Sequence, residues 1–122
     1  MPTFDVWDIV RVPFPYTDRP IRQWRPALVV AAGRLEAEHG LLWVLMITSA
    51  ENRRWNDDVP ISNNRTAGLP APSVVRCAKI ATIEVAETQR IGQLPLPDRA
   101  EVTERFNSHA ALAPERPARR RR

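Results

Sequence analysis

The segment LLWVLMI, Leu41–Ile47, decides the fold class of this chain. An unbroken apolar run places hydrophobic side chains on both faces of an extended backbone, so it predicts a strand at the centre of a sheet. The run is far too short to cross a bilayer as a helix, which takes about 20 residues. Thr48 and Ser49, which follow it directly, are therefore expected at the end of a central strand.

Shorter apolar runs lie on either side of this segment and are separated by turn residues. Asp8–Val12 alternates with the period of a strand, and Pro26–Ala32 reads as a strand that tolerates proline at its first residue. Ser73–Ile83 has β-branched residues at strand spacing and predicts one bent strand or two short ones. The segments VPI and RIGQL are shorter strand candidates, and GRLEAEHG is a connection with room for one helical turn.

A long loop and a terminal helix complete the pattern. Residues 13–24 contain three prolines and are predicted to form a long, functional loop. Near the other end, Asp98 and Glu101 have the spacing of a capping box, and apolar residues recur every fourth position from Val102. Several short strands followed by one helix predict a mainly β fold, a small barrel or strongly bent sheet with the helix packed on it.

The excess of positive over negative charge comes from the C-terminal end of the chain. Of eighteen basic and fourteen acidic residues, five arginines and one glutamate lie in residues 114–122, which leaves the rest of the chain neutral overall. We therefore predict one folded domain over residues 1–112 and a basic, disordered tail over 113–122. Such a tail can add attraction to nucleic acid, but a solvated end is the simpler interpretation.

Metal and cysteine chemistry are poorly supported by the sequence. Cys77 is the single cysteine, so an internal disulfide and a cysteine-based zinc site are both excluded. His39 and His109 lack metal-ligand spacing, and the adjacent Asp57 and Asp58 are interpreted as turn residues. No cofactor or metal is expected. The N-terminus has no signal-peptide pattern, so a cytoplasmic location is expected.

Arginine is the notable chemical resource of the chain. Its planar guanidinium matches phosphate and stacks on bases, and the segment NRRWN (Asn52–Asn56) sets a tryptophan beside two arginines in a loop. A loop tryptophan is as often a core anchor, and loop arginines are usually solvated, so this pattern alone leaves both interpretations open. The cluster RQWRPALVV, Arg22–Val30, raises the same choice, because Arg25 is either a solvated strand end or an anion site.

Longer segments resemble a known family. These are WDIVRVPFPYTDRPIRQWRPALVV, VLMITSA, LPAPSVVRCAKIATI and RIGQLP, which together resemble the PemK/MazF toxins of bacterial type II toxin–antitoxin systems. The resemblance runs from about Val6 to the terminal helix. It implies a small SH3-like β-barrel with long loops and a C-terminal helix, a homodimer, and a cognate antitoxin as partner. It also implies a metal-independent endoribonuclease that cuts single-stranded RNA at short sequences.

The resemblance also assigns roles to single residues. Arg25 matches the arginine of the family's Arg-Pro motif and Thr48 matches the threonine at the strand end; both are catalytic candidates. The candidates for RNA binding are Asp18, Arg22, Trp24, Ser49, Arg53, Arg54, Trp55 and Arg76. Two positions depart from the family pattern: Ala78 stands where some members have an aspartate proposed as a base, and Trp7 stands where glycine is usual.

Cleavage without a metal would use the 2′-hydroxyl as nucleophile and leave a 2′,3′-cyclic phosphate and a 5′-hydroxyl. Arg25 would supply positive charge to the phosphorane and Thr48 a hydrogen bond. The proton acceptor stays open, since arginine is a poor base and Asp18 is better explained as a turn residue. A non-catalytic module that binds nucleic acid or antitoxin is the alternative, and a toxin with a protein target is a weaker one.

Overall fold

The computed structural model describes residues 3–15 and 22–111. Asp18 and the predicted tail lie outside the described residues, so the boundary at residue 112 stays a prediction. The strands are β1 (Asp8–Pro15), β2 (Arg22–Ala31), β3 (Leu41–Ser49), β4 (Asp58–Pro60), β5 (Ser73–Glu84) and β6 (Gln89–Gln93). The helices are α1 (Gly33–His39) and α2 (Leu96–Ala110), with a single 3-10 turn at Val85–Glu87.

The strands form one six-stranded antiparallel sheet in the order β4-β5-β3-β2-β1-β6. β3 occupies a central position, which confirms the prediction from its apolar run, and the mainly β class is confirmed with it. The sheet is bent but not closed, because its edge strands β4 and β6 are bridged by residues 61–72 rather than by a ladder. At one end of this segment, Ile61 continues the pairing of β4 with β5 by donating to the Ser73 carbonyl at 3.0 Å; farther along, the Thr66 carbonyl accepts from the Gln93 N–H of β6 at 3.3 Å.

Each face of the sheet has its own hydrophobic core. α2 covers one face through Val102, and half-buried Phe106 packs against the same core. This helix-side core contains Ile9, Leu28, Leu45, Ile47, Val59, Ile61, Ala67, Leu69, Val75, Cys77, Leu94 and Val102. The core on the opposite face contains Phe4, Val10, Val12, Ala27, Val29, Leu42, Val44 and Met46. Alternate residues of β3 belong to the two cores, as its unbroken apolar pattern requires.

The predicted long loop is shorter than expected. β1 continues to Pro15 and β2 begins at Arg22, so the prediction of a loop over residues 13–24 was wrong at both ends. Proline is tolerated within β2 because β3 pairs with this strand only from Ala27 onward. Pro26 pairs with Arg11 of β1 and has no β3 partner in the ladder, which is the edge-like position that suits proline.

The predicted capping box does not form. α2 begins at Leu96, and the Asp98 carboxylate instead accepts hydrogen bonds from the Ser62 backbone N–H at 2.8 Å and the Ser62 hydroxyl at 3.1 Å. Asp98 is buried, so these bonds replace the water that the carboxylate loses. The residue therefore fastens the start of α2 to the segment after β4, a long-range contact that spacing within the helix cannot reveal.

β5 is one strand with an irregularity at its middle. Its β3 partners change from Ile80, opposite Leu45, to Arg76, opposite Met46, so the pairing skips Cys77–Lys79. This bulge bends the strand and lets its first part pair with β4 as well. Among the described residues, neither helix is long and apolar enough to span a membrane.

We expect Gly92→Ala to destabilise the chain by about 1–3 kcal/mol through overpacking. A Cβ at this position would lie 2.3 Å from the Ala67 carbonyl carbon and 2.7 Å from the Gly68 nitrogen. Thermal unfolding measures the loss. Gly40→Ala is the control, because its Cβ would have nothing within 4 Å and would meet only the strain of a φ of +67°. Equal losses in the two variants would show that the contact with residues 67–68 is not tight.

Candidate functional site

The candidate site lies where β2 and β3 separate. Their ladder begins with Ala27 opposite Met46, and the same register extended by two residues sets Arg25 opposite Thr48. The ladder between the described parts of β2 and β3 stops at the first of these two pairs, although β2 still pairs with β1 through Val12 opposite Arg25. Both side chains predicted to be catalytic therefore face the gap between two rigid strands.

The gap between the strands opens into a cleft of about 410 Å³. Its walls are residues 23–26 of β2 and residues 47–49 of β3, with Asn52 beside them. Residues 69–73 line the remaining side and contribute the apolar side chains of Leu69, Pro70, Ala71 and Pro72. The structure thus brings Arg25, Thr48, Ser49 and Trp24 together in one cleft, four residues that the sequence had singled out separately.

Asn52 orients the Thr48 hydroxyl. The Asn52 side-chain amide donates to Thr48 Oγ1 at 2.6 Å, and Thr48 is only 9% exposed. Since this bond uses the oxygen as acceptor, the hydroxyl proton points elsewhere and can be donated to a ligand in the cleft. The loop itself is fastened at its start, because Asn52 donates its backbone N–H to the Ser49 carbonyl at 3.0 Å and Glu51 donates to Ser49 Oγ at 3.2 Å.

Arg25 and Trp24 hold adjacent positions on the opposite wall. Arg25 is half-buried, and strand pairing on the β1 side fixes its backbone. Trp24 is 47% exposed, and the Arg11 guanidinium lies 5.2 Å from the centroid of its ring, within the range of a cation–π contact. A guanidinium held between a rigid backbone and a wide opening is suited to an anionic oxygen such as that of a phosphodiester.

Arg76 and Trp55 come together at a different place. The Arg76 guanidinium binds the Asp58 carboxylate, with Nε–Oδ1 at 3.3 Å and an Nη2–Oδ2 distance of 3.1 Å, and donates to the Arg53 carbonyl at 2.7 Å. It also lies 4.2 Å from the centroid of the Trp55 ring. We call Trp55, Asp58 and Arg76 the Asp58 cluster. It fastens the end of the 50–57 loop to β4 and β5, and it does not line the cleft.

The remaining predicted RNA contacts are Arg53, Arg54, Arg22 and Asp18. Arg53 and Arg54 are exposed, and neither lines the cleft. Arg22 begins β2, of which only the backbone is described at this residue, and Asp18 is outside the described residues. An RNA-binding role for these residues stays a prediction.

Candidate bases and metal ligands are scarce in the described part of the chain. Among its residues that line the cleft there is no aspartate, glutamate or histidine. Over residues 3–15 and 22–111 no three His, Cys, Asp or Glu side chains are grouped so that they could hold a metal ion. Burial raises the pKa of the Cys77 thiol to about 11, so a thiolate is not available at neutral pH. Ala78 lies in the β5 bulge.

Two contributors to the cleft were missed by the sequence analysis. Asn52 lies inside the NRRWN segment, but its contact with Thr48 depends on how the loop folds back. Residues 69–72 belong to a turn-rich connection, and the sequence analysis did not assign them to the site. The succession of prolines at Pro70 and Pro72 was the available signal, because proline stiffens a loop that must keep its shape.

The comparisons with known proteins agree with this architecture. MazF from Deinococcus radiodurans superposes with a TM-score of 0.72 at 19% sequence identity, covering 92% of this chain and all of that chain. The Mycobacterium tuberculosis toxin MazF-mt6 gives 0.67 at 23% identity over 87% of this chain and 98% of its own. A mycobacterial endoribonuclease, solved in complex with its cognate antitoxin, gives 0.68 at 14% identity over 90% and 97%. At these identities the likeness concerns the fold.

The assignment to a family rests on the sequence itself. No curated protein has a significant sequence match to this chain. The model of the family described as the PemK-like, MazF-like toxin of type II toxin–antitoxin systems matches residues 5–109, nearly the whole described chain. The chain therefore belongs to the PemK/MazF family of toxins of type II toxin–antitoxin systems.

Proposed function

We propose that this toxin is an endoribonuclease that cuts single-stranded mRNA in the cytoplasm, at selected sequences and without a metal ion. The observation that carries the proposal is the meeting of Arg25 and Thr48 across one open cleft. An arginine fork and a hydroxyl donor facing the same space are the groups that a phosphodiester requires. The mycobacterial endoribonuclease described above has a similar fold, which makes this class of activity the natural one to test.

The proposed reaction is a transesterification within the RNA. The 2′-oxygen attacks the adjacent phosphorus, a P–O2′ bond forms, and the P–O5′ bond breaks, which leaves a 2′,3′-cyclic phosphate and a 5′-hydroxyl. The 2′-hydroxyl loses its proton to an acceptor, and the leaving 5′-oxygen gains one. Arg25 stabilises the negative charge on the phosphorane oxygens. Thr48, whose oxygen already accepts a hydrogen bond from Asn52, donates a hydrogen bond to a phosphate oxygen.

A second candidate function is a module that binds RNA without cutting it. The lack of a carboxylate or imidazole among the described residues of the cleft favours this alternative. In that case Arg25 and Thr48 would hold a phosphate, and no group would accept the 2′-proton. The two functions predict the same dependence of binding on Arg25 but differ in whether the RNA is broken.

The proposed partners are an antitoxin and a second copy of the chain. One structural relative is solved with its cognate antitoxin and others are MazE–MazF complexes, so we propose a cognate antitoxin here also. We propose that an acidic segment of it covers the cleft, because a carboxylate can replace a phosphate on Arg25. A homodimer is proposed on the family resemblance alone.

Incubation with a long mixed-sequence RNA in excess EDTA tests the proposal. We expect cleavage to continue in the chelator, with ends that carry 2′,3′-cyclic phosphates and cluster at a short sequence. The ends are mapped by primer extension, and the cyclic product is identified by its resistance to a phosphatase that removes linear 3′-phosphates. Loss of cleavage in EDTA that added Mg²⁺ restores would contradict metal independence. Tight binding with no cleavage in either buffer would establish the second candidate function.

A further inference from the structure

A second, smaller pocket adjoins the cleft on the helix-side face of the sheet. It has a volume of about 180 Å³ and is lined by Arg11, Trp24, Gly68–Pro70 and Ile91, among others. It shares Trp24, Arg25, Pro26, Leu69 and Pro70 with the larger cleft, so the two spaces adjoin. We call it the Trp24 pocket. Arg11 and Gly68 have no part in the reaction proposed above.

Strand register assembles one wall of the Trp24 pocket. Arg11 lies opposite Pro26 and Pro13 lies opposite Trp24, so these four residues share one face of the β1–β2 ribbon. The Arg11 guanidinium is therefore held near the Trp24 ring, at the 5.2 Å given above. This wall combines a flat aromatic surface with a planar cation, the two surfaces on which nucleic-acid bases stack in single-stranded complexes.

The facing wall is held rigidly in place. Gly68 adopts a φ of +76° and passes so close to β6 that a Cβ there would lie 2.0 Å from the Ile91 carbonyl oxygen. The turn is closed by the Gly68 N–H to the Arg65 carbonyl at 3.0 Å and the Leu69 N–H to the Asn64 carbonyl at 2.8 Å. A pocket whose two walls are both fixed is formed before a ligand arrives, which favours shape-selective binding.

We propose that the Trp24 pocket binds one nucleobase adjacent to the scissile phosphate, so that Arg11 and Trp24 determine sequence specificity. The pocket's volume is on the scale of one base, its lining is mostly apolar, and its cation faces an aromatic ring. Because it adjoins the Arg25 cleft, a base bound in it would lie beside a phosphate bound at Arg25 on one strand of RNA. This inference rests on the proposed function for its ligand, but it adds a separate requirement: the base itself, and not only the sugar–phosphate backbone of the RNA, must contribute to binding.

Binding measurements with RNA analogues that cannot be cleaved test whether the base contributes to binding. The probes are short single-stranded oligonucleotides with 2′-O-methyl riboses, which cannot be cleaved, and matched oligonucleotides with one abasic position. Indole N–H signals in nuclear magnetic resonance spectra of the ¹⁵N-labelled full chain are assigned with Trp24→Leu and Trp43→Leu. We expect the Trp24 signal to shift with the base-containing probe and to shift far less when one particular base is removed. Trp43 is the matched control, since it is 45% exposed and lies outside both pockets.

Affinity supplies the second readout. We expect Trp24→Leu and Arg11→Gln each to raise Kd by about 10-fold and to reduce the differences among probes that carry A, C, G or U at that position. Trp43→Leu and Arg34→Gln, which change an exposed tryptophan and an exposed arginine elsewhere, should leave both values near those of the unmodified chain. Circular dichroism and thermal unfolding verify that all four variants fold.

The outcomes separate this inference from the proposed function. Equal binding of abasic and base-containing probes by a chain that does cleave RNA overturns the base site and leaves the endoribonuclease intact. A base-dependent shift of Trp24 in a chain that does not cleave RNA supports the base site and overturns the catalytic proposal. A pocket that binds an antitoxin peptide but no oligonucleotide overturns the base site, as does equal loss of affinity in the Trp24 and Trp43 variants.

Discussion

Arg25→Ala is expected to slow RNA cleavage by about 100- to 1,000-fold, which is the usual effect of removing one preorganised donor from a transition state that gains charge. Arg25 lies on the cleft wall opposite Thr48, and pairing with β1 fixes its backbone. The loss should fall mainly on kcat, because phosphorane charge develops only during the reaction. Single-turnover cleavage of an oligonucleotide that contains the mapped site measures it.

Two further variants sharpen this result. Arg25→Lys keeps the charge but loses the planar fork, so we expect it to recover only part of the rate. Arg34→Ala removes an arginine whose side chain is 87% exposed on α1 and pairs with Glu38, and it should cleave at the rate of the unmodified chain. If Arg25→Ala weakens binding while kcat stays unchanged, Arg25 holds substrate and transition state equally and the catalytic role is wrong.

Asp58→Asn is expected to destabilise the fold by about 3 kcal/mol, because it leaves a largely buried guanidinium without its counter-charge. The Asp58 side chain is 1% exposed and that of Arg76 12%. Asp58 Oδ2 also accepts the Trp55 backbone N–H at 2.9 Å. The amide NH₂ group introduced by the substitution would therefore face an N–H donor, either that of Trp55 or that of Arg76. Chemical denaturation gives the free energy of unfolding.

The neighbouring aspartate provides the matched control. Asp57 pairs with Arg105 and His109 at the surface, where its side chain is 32% exposed, and Asn tolerates the left-handed φ of 71° at this position. Asp57→Asn should therefore change stability much less. Equal effects of the two variants would show that burial does not distinguish the pairs.

Asp58→Asn should also affect activity. The 50–57 loop carries Asn52, which orients the Thr48 hydroxyl, so we expect this variant to cleave RNA more slowly because Thr48 is less well ordered.

The sequence predicted the fold best where a strand can be recognised from the pattern of side chains within a single segment. The apolar run of Leu41–Ile47 predicted a central strand, which is present. Ser73–Ile83 predicted one bent strand or two short ones, and a single irregular strand is present. Trp7 is a position where the residue type does not match the backbone conformation. Its φ of 83° is a conformation that favours glycine, which is the residue that the family usually has there. This chain keeps a tryptophan at that position, and its side chain packs against the helix-side core.

Sequence patterns failed where a polar group found a distant partner. Asp98 and Glu101 have the spacing of a capping box, yet the Asp98 carboxylate binds Ser62, thirty-six positions away. Arg76 was named as a candidate for RNA binding, and its sequence context gave no sign of the contact with Asp58, eighteen positions away. The ends of β1 and β2 were missed because proline reads locally as a loop, although it is tolerated where one side of a strand has no ladder partner.

By itself, then, the sequence determined the family, the central strand, the terminal helix and the candidacy of Arg25 and Thr48. Those features depend on residue type and on spacing along a single element. The tertiary structure alone decided that Arg25 and Thr48 share a cleft, that Asn52 orients the threonine, and that Gly68 closes a second pocket against Ile91. The physical reason is that strand register and close backbone contacts join residues far apart in the chain, and each such contact depends on both partners together.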